Sequence, residues 1–173
     1  MIRILFLDTS ALLSFFISDK GTPAMRWLIS SANKAHNDTR YIINNQVIVE
    51  LEASLKVLVE KDAIKQSTAD NILALFNTHY KNRIFKLTGK EASVKETMDG
   101  IYNFIGRLSR PILVTSNTER AAECAKYKAI NPQQHDPSAI ELLLQGKLKS
   151  SKNTDSTKFL QRFFRKKRMT FAL

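Results

Sequence analysis

The chain has 173 residues, 43% of them apolar, one cysteine (Cys124) and a formal charge of +11. That is the length of one domain with enough apolar material for a real core. A lone cysteine excludes an internal disulfide framework and fits a reducing, cytoplasmic setting. No apolar run reaches the length of a membrane-spanning helix, and the apolar start is interrupted by Asp8 with no small-x-small cleavage site after it, against a secretory signal.

Strand and helix patterns alternate along the chain. Residues 2–8 read as a buried strand ending in Asp8, followed by a helical pattern through Phe16 and a turn at Gly21 and Pro23. Ala24 to Ala35 reads as a helix, Tyr41 to Asn44 as a short strand, and Gln46 to Glu60 as a strong helix with Val47, Leu51, Leu55 and Leu58 at helical spacing. A helix over roughly 67–80 is expected to start at Ser67, with Asp70 placed as in a capping box.

Ile84 to Leu87 forms a third strand. Lys90 to Glu96 and Gly100 to Leu108 read as two helices meeting near Asp99. Pro111 opens a fourth strand through Thr115. Thr118 to Lys126 is helical, Ala129-Ile130 is a short fifth strand, and Ser138 to Leu144 a last helix. Such alternation predicts an α/β fold: a mostly parallel sheet of about five strands covered by helices on both faces. Right-handed crossovers then bring every strand's carboxyl end to one edge.

Charge is unevenly placed. Residues 147–173 hold nine Lys or Arg against Asp155, a net of +8, which leaves +3 of the total of +11 for residues 1–146. The organisation expected is a nearly balanced domain over 1–146 and a basic tail over 147–173, with a polyanion as partner. In the tail, Phe159, Leu160, Phe163 and Phe164 fall on one side of a helical pattern and Arg162, Arg165, Lys166, Lys167 and Arg168 on the rest. Four readings stay open: a disordered end, an RNA arm, a docking helix for a partner or twin subunit, and a membrane-surface helix.

Asp8 organises the functional reading. A carboxylate at the end of a buried strand is costly without compensation, and that edge is where ligands bind in open α/β sheets. Glu50, one turn into the helix after strand two, and Asp99, shortly before strand four, are expected near the same edge. Gathered carboxylates repel one another and call for a cation. Oxygen-only donors suit Mg²⁺ or Mn²⁺, which stabilise charge on a phosphate and activate water. Phosphodiester hydrolysis is the chemistry that uses such a set.

Over residues 1–132 the chain resembles the PIN-domain ribonucleases, in size the toxins of VapBC-type toxin–antitoxin pairs. The resemblance rests on Leu7-Asp8-Thr9-Ser10-Ala11-Leu12-Leu13, Val49-Glu50-Leu51, Asp99 ahead of an apolar helix, and Ile112-Leu113-Val114-Thr115-Ser116-Asn117. It implies an α/β/α sandwich and Mg²⁺- or Mn²⁺-dependent cleavage of RNA, with Asp8, Glu50 and Asp99 as metal ligands. It further implies an antitoxin partner, a homodimer, and orientation of the carboxylates by Ser10 and Thr115. Asn117 stands where the family usually has Asp; Glu119 is the nearest acid that substitutes for it, and Asp136 lies further along. The same departure carries an alternative: a catalytically weakened PIN-like protein that binds RNA or serves assembly.

Each residue also has a plainer reading. Asp8 and Asp99 are acceptable N-caps, Glu50 a solvated helix acid, and Asn117 a turn residue. His36, His79 and His135 lack metal-ligand spacing and read as surface residues, and Cys124 as a small core filler. No Gly-rich phosphate loop is present.

Overall fold

Ile4, Leu5, Phe6 and Leu7 are each at most 1% exposed, which requires cover on both faces of the strand that carries them. That strand is β1 (Arg3–Leu7), the middle of a five-stranded parallel sheet of order β3-β2-β1-β4-β5. Its other members are β2 (Thr39–Ile43), β3 (Phe85–Leu87), β4 (Ile112–Val114) and β5 (Lys128–Ile130). The computed structural model describes residues 3–31, 39–82, 84–87, 92–105 and 110–145; the basic tail lies outside them.

Leu5 sits opposite Tyr41 on one side and Ile112 on the other, and Leu7 opposite Val114. From β1 the chain steps outward to β2 and β3, then returns past β1 to lay down β4 and β5. Right-handed crossovers therefore put α1 (Thr9–Phe16), α2 (Thr22–Ser31), α3 (Asn45–Glu60) and α4 (Gln66–Lys81) on one face. They put α5 (Val94–Ile105) and α6 (Thr118–Glu123) on the other. The last helix, α7 (Pro137–Gln145), packs on α2. The direction of strand addition reverses between β1 and β4, and a crevice at their carboxyl ends follows from that reversal.

The helix after β2 is as its periodicity predicts, with Val47, Leu51 and Leu55 buried. Its start is set by Asn44, wholly buried, whose side chain accepts from the Val47 N–H. The Asn44 amide donates in turn to the Ala92 carbonyl (2.8 Å) and to Thr97 Oγ1 (3.0 Å), tying α3 to α5.

Three expectations are corrected. The two helices expected to meet at Asp99 are one helix, α5, with Asp99 in its interior. It begins at a capping box: the Ser93 N–H donates to Glu96 Oε2 (2.8 Å) and the Glu96 N–H to Ser93 Oγ (3.2 Å). The buried stripe of Val94, Thr97, Met98 and Ile105 carries it through Gly100, so packing overrides glycine's poor propensity. Next, Ser67 lies inside α4 rather than capping it; Lys65 holds the N-cap position, and Asp70 accepts from Gln66 Nε2 at 2.8 Å instead. Finally, His79 is no free surface residue: its ring packs against Phe15 (5.6 Å), Phe85 (5.8 Å) and Phe16 (6.2 Å), and burial pushes its pKa down.

A Cβ at Gly100 would meet nothing within 4 Å. Gly100→Ala is therefore expected to stabilise the fold by about 0.5–1 kcal/mol, read as a rise in the thermal midpoint.

Candidate functional site

The residues that follow β1 and β4 meet at the carboxyl edge of the sheet, where the direction of strand addition reverses. The Asp8 N–H donates to the Val114 carbonyl at 3.0 Å, which locks the end of β1 beside the end of β4. Asp8 occupies the N-cap position of α1, yet its side chain makes no cap hydrogen bond. Instead Oδ2 accepts from Thr115 Oγ1 at 2.8 Å and from Ser10 Oγ at 3.2 Å. Thr115 Oγ1 accepts in turn from the Asn117 N–H, and Ser10 Oγ from the Ser116 N–H, each at 3.0 Å. The β4–α6 turn and the start of α1 thus hold the carboxylate in one orientation. Its other oxygen, Oδ1, is buried and accepts no hydrogen bond, although Asp8 is only 2% exposed.

What faces Oδ1 is a cation that the motifs do not contain. Arg120 Nη1 lies 3.9 Å from it, and Arg120 Nη2 donates to Glu50 Oε1 at 3.0 Å. Glu50 is further held by Thr9 Oγ1 (2.6 Å to Oε2) and Gln46 Nε2 (2.7 Å to Oε1). Burial alone would raise the Glu50 pKa; the Thr9 and Arg120 hydrogen bonds, the Arg120 charge and Gln46 outweigh it and hold the group below its ordinary 4.5. The Arg120 guanidinium is correspondingly held above its usual value, the two carboxylates overcoming its own desolvation.

A depressed carboxylate stabilises the fold above its unfolded pKa and stops doing so as pH falls through the folded value. Glu50 therefore contributes in full above 4.5 and loses its contribution below it. Urea midpoints taken from neutral pH down to about pH 3 should fall less steeply at the acid end for Glu50→Gln than for the natural chain.

Beyond Ser10 and Thr115, the other expected site residues have partners of their own. Asp99 Oδ1 accepts from Lys126 Nζ at 3.2 Å and from the Tyr127 hydroxyl. Those bonds, Tyr127's foremost, hold its pKa low, while burial and Asp99 push the Tyr127 phenol up. Asn117 is spent as the N-cap of α6, its Oδ1 accepting from the Glu119 and Arg120 N–H groups at 2.9 and 3.1 Å. Glu119 is exposed, and Asp136 caps α7 through the Ala139 N–H (2.8 Å). Arg162, Arg165, Lys166, Lys167 and Arg168 lie outside the described residues. Among the described residues no group of three or more His, Cys, Asp or Glu side chains is close enough to hold a metal.

Asp8 and Glu50 are the two acids here that could hold a cation, and in this structure they share Arg120. Asp8 offers a buried, oriented oxygen without a donor, and Glu50 is held ionised beside it. The place between them is taken by the Arg120 guanidinium. One or two carboxylates, completed by substrate phosphates, are a common way of holding Mg²⁺.

The residues that sequence reasoning misses are Arg120, Thr9 and Gln46. Gln46 sits one helical turn before Glu50 and Thr9 directly after Asp8, so both are legible as neighbours. Arg120 reaches Glu50 across 70 residues of chain, and only its place three residues after the capping Asn117 could mark it.

The chain matches no family model and no curated protein. Among solved structures it is similar to the PIN domain of human SMG5, at 17% identity over 84% of this chain and 100% of that one, with a TM-score of 0.40.

Proposed function

We propose that this chain is a metal-dependent endoribonuclease of PIN type, with Asp8 and Glu50 as its Mg²⁺ or Mn²⁺ ligands. The observation that carries the reading is Asp8 Oδ1, a buried carboxylate oxygen left without a hydrogen bond at the crevice between β1 and β4. A buried oxygen of this kind calls for an explanation, a bound ion among them, and Arg120 faces it at 3.9 Å without a hydrogen bond. When bound, the ion would stabilise the negative charge that builds on a phosphate and activate water. The chain's own part is to orient. Ser10 and Thr115 fix the Asp8 carboxylate by its other oxygen; Thr9 and Gln46 fix Glu50. Asp99 and Glu119 would join only after releasing or turning from their present surroundings. The basic tail, Arg162, Arg165, Lys166, Lys167 and Arg168 within it, would add RNA affinity, most at low salt. The setting we propose is a cytoplasmic toxin held by an antitoxin, acting as a homodimer.

A second reading has its own support. Asn117 has turned its oxygen into a helix cap and Asp99 is bonded to Lys126 and Tyr127. That leaves two acids at the crevice and favours a protein that binds RNA or serves assembly without cutting. Labelled single-stranded RNA incubated with Mn²⁺ or with EDTA separates the two. Cleavage that requires Mn²⁺ and disappears in Asp8→Asn supports the nuclease. Tight binding with no metal-dependent cleavage establishes the binder.

A further inference from the structure

We propose that Arg120 is a resident counter-cation that gates this site: it and the divalent ion exclude each other, and an RNA phosphate draws Arg120 away. The inference rests on the metal-dependent reading above and adds a residue and a regulation to it. Its guanidinium touches both proposed ligands, at 3.0 Å from Glu50 Oε1 and 3.9 Å from Asp8 Oδ1. The third acid whose charge acts on it is Glu123, on its own helix. Asp8 and Glu50 carry two negative charges and Arg120 one positive. A divalent ion added to that set would place three positive charges among two carboxylates, with the guanidinium and the ion in contact.

Like charges at that range repel in a half-buried site, so the two cations compete for the same two carboxylates. Arg120 is the more weakly tied of the two sides: its side chain, 15% exposed, is held here through its hydrogen bond to Glu50, on a helix, α6 (Thr118–Glu123), that contains no buried residue, whereas the carboxylates are also fastened by hydroxyls from α1 and from the turn after β4. A guanidinium freed from a carboxylate pairs as readily with a phosphate, in the same forked geometry. RNA arriving at the crevice offers that phosphate. The free protein would then be latent and the RNA-bound protein competent to take its ion.

Coupling of this kind is reciprocal and is read directly as Mn²⁺ affinity, by calorimetric titration of the full chain with and without a 2′-O-methyl RNA oligonucleotide that resists cleavage. The natural chain is expected to bind Mn²⁺ at least about tenfold more tightly with the oligonucleotide than without it. Arg120→Met is expected to bind Mn²⁺ about tenfold more tightly than the natural chain without RNA, and to show little further gain with it. Arg120→Lys, which keeps the charge, should stay weak without RNA, and thermal melts of all three establish that they fold. Equal Mn²⁺ affinity for the natural chain and Arg120→Met, abolished by Asp8→Asn, would overturn the gate and leave the nuclease standing. Failure of every protein to bind Mn²⁺, with or without RNA, would overturn both.

Discussion

On the proposed nuclease reading, Asp8→Asn is expected to lower RNA cleavage by roughly a hundred- to a thousandfold while leaving the protein folded. The two effects separate because the two oxygens of Asp8 have different duties. Oδ2 is the structural one, accepting from Thr115 and Ser10; an amide oxygen accepts from the same hydroxyls, so that part of the site survives the substitution. Oδ1 is the one without a hydrogen bond, and its replacement by an NH₂ group turns an acceptor for a cation into a donor. Stability should change by about 1 kcal/mol or less, since Arg120 keeps its shorter contact with Glu50. Single-turnover cleavage and a denaturant melt on the same preparation check both halves, and a variant that still cuts at the natural rate would remove Asp8 from the chemistry.

Thr115→Val is expected to be the most damaging conservative change for stability at the site. The two side chains have nearly the same shape, so no cavity opens. What disappears is a hydroxyl that donates to Asp8 Oδ2 and accepts from the Asn117 N–H. Asp8 is then left with Ser10 at 3.2 Å as its remaining hydroxyl donor, and the turn that launches α6 loses an internal bond. A lost hydrogen bond to a buried charge costs about 2–3 kcal/mol, which for a chain of this size lowers the thermal midpoint by roughly 4–10 °C. Thr115→Ser restores the hydroxyl and should recover most of that loss; if it does not, the methyl group rather than the bond matters.

Much of this arrangement is legible in the sequence because it is written in short-range patterns. The apolar run ending in Asp8 and the helical repeat of Val47, Leu51 and Leu55 each depend on neighbours a few residues apart. They lead to β1 and α3 within a residue or two. Strand alternation with helices leads to a parallel sheet and to a shared carboxyl edge. The break expected at Asp99-Gly100 fails because local glycine propensity is weaker than a buried stripe, and because the Ser93–Glu96 capping box sets the start of α5 earlier. Arg120 is invisible for a different reason: no local pattern says which acid a distant arginine will meet. The same holds for His79, since its aromatic neighbours come from α1 and β3.

Asn44 has a consequence for how the fold comes apart. Its one amide is bonded to the first turn of α3, to the segment before α5 and to Thr97 within α5, and it is shut off from water entirely. Releasing either helix strands buried donors and acceptors on the other, a cost that neither can escape by moving alone. The helix that bears Glu50 and the helix that bears Asp99 are therefore expected to open together, which amide hydrogen exchange would show as a shared opening free energy for α3 and α5.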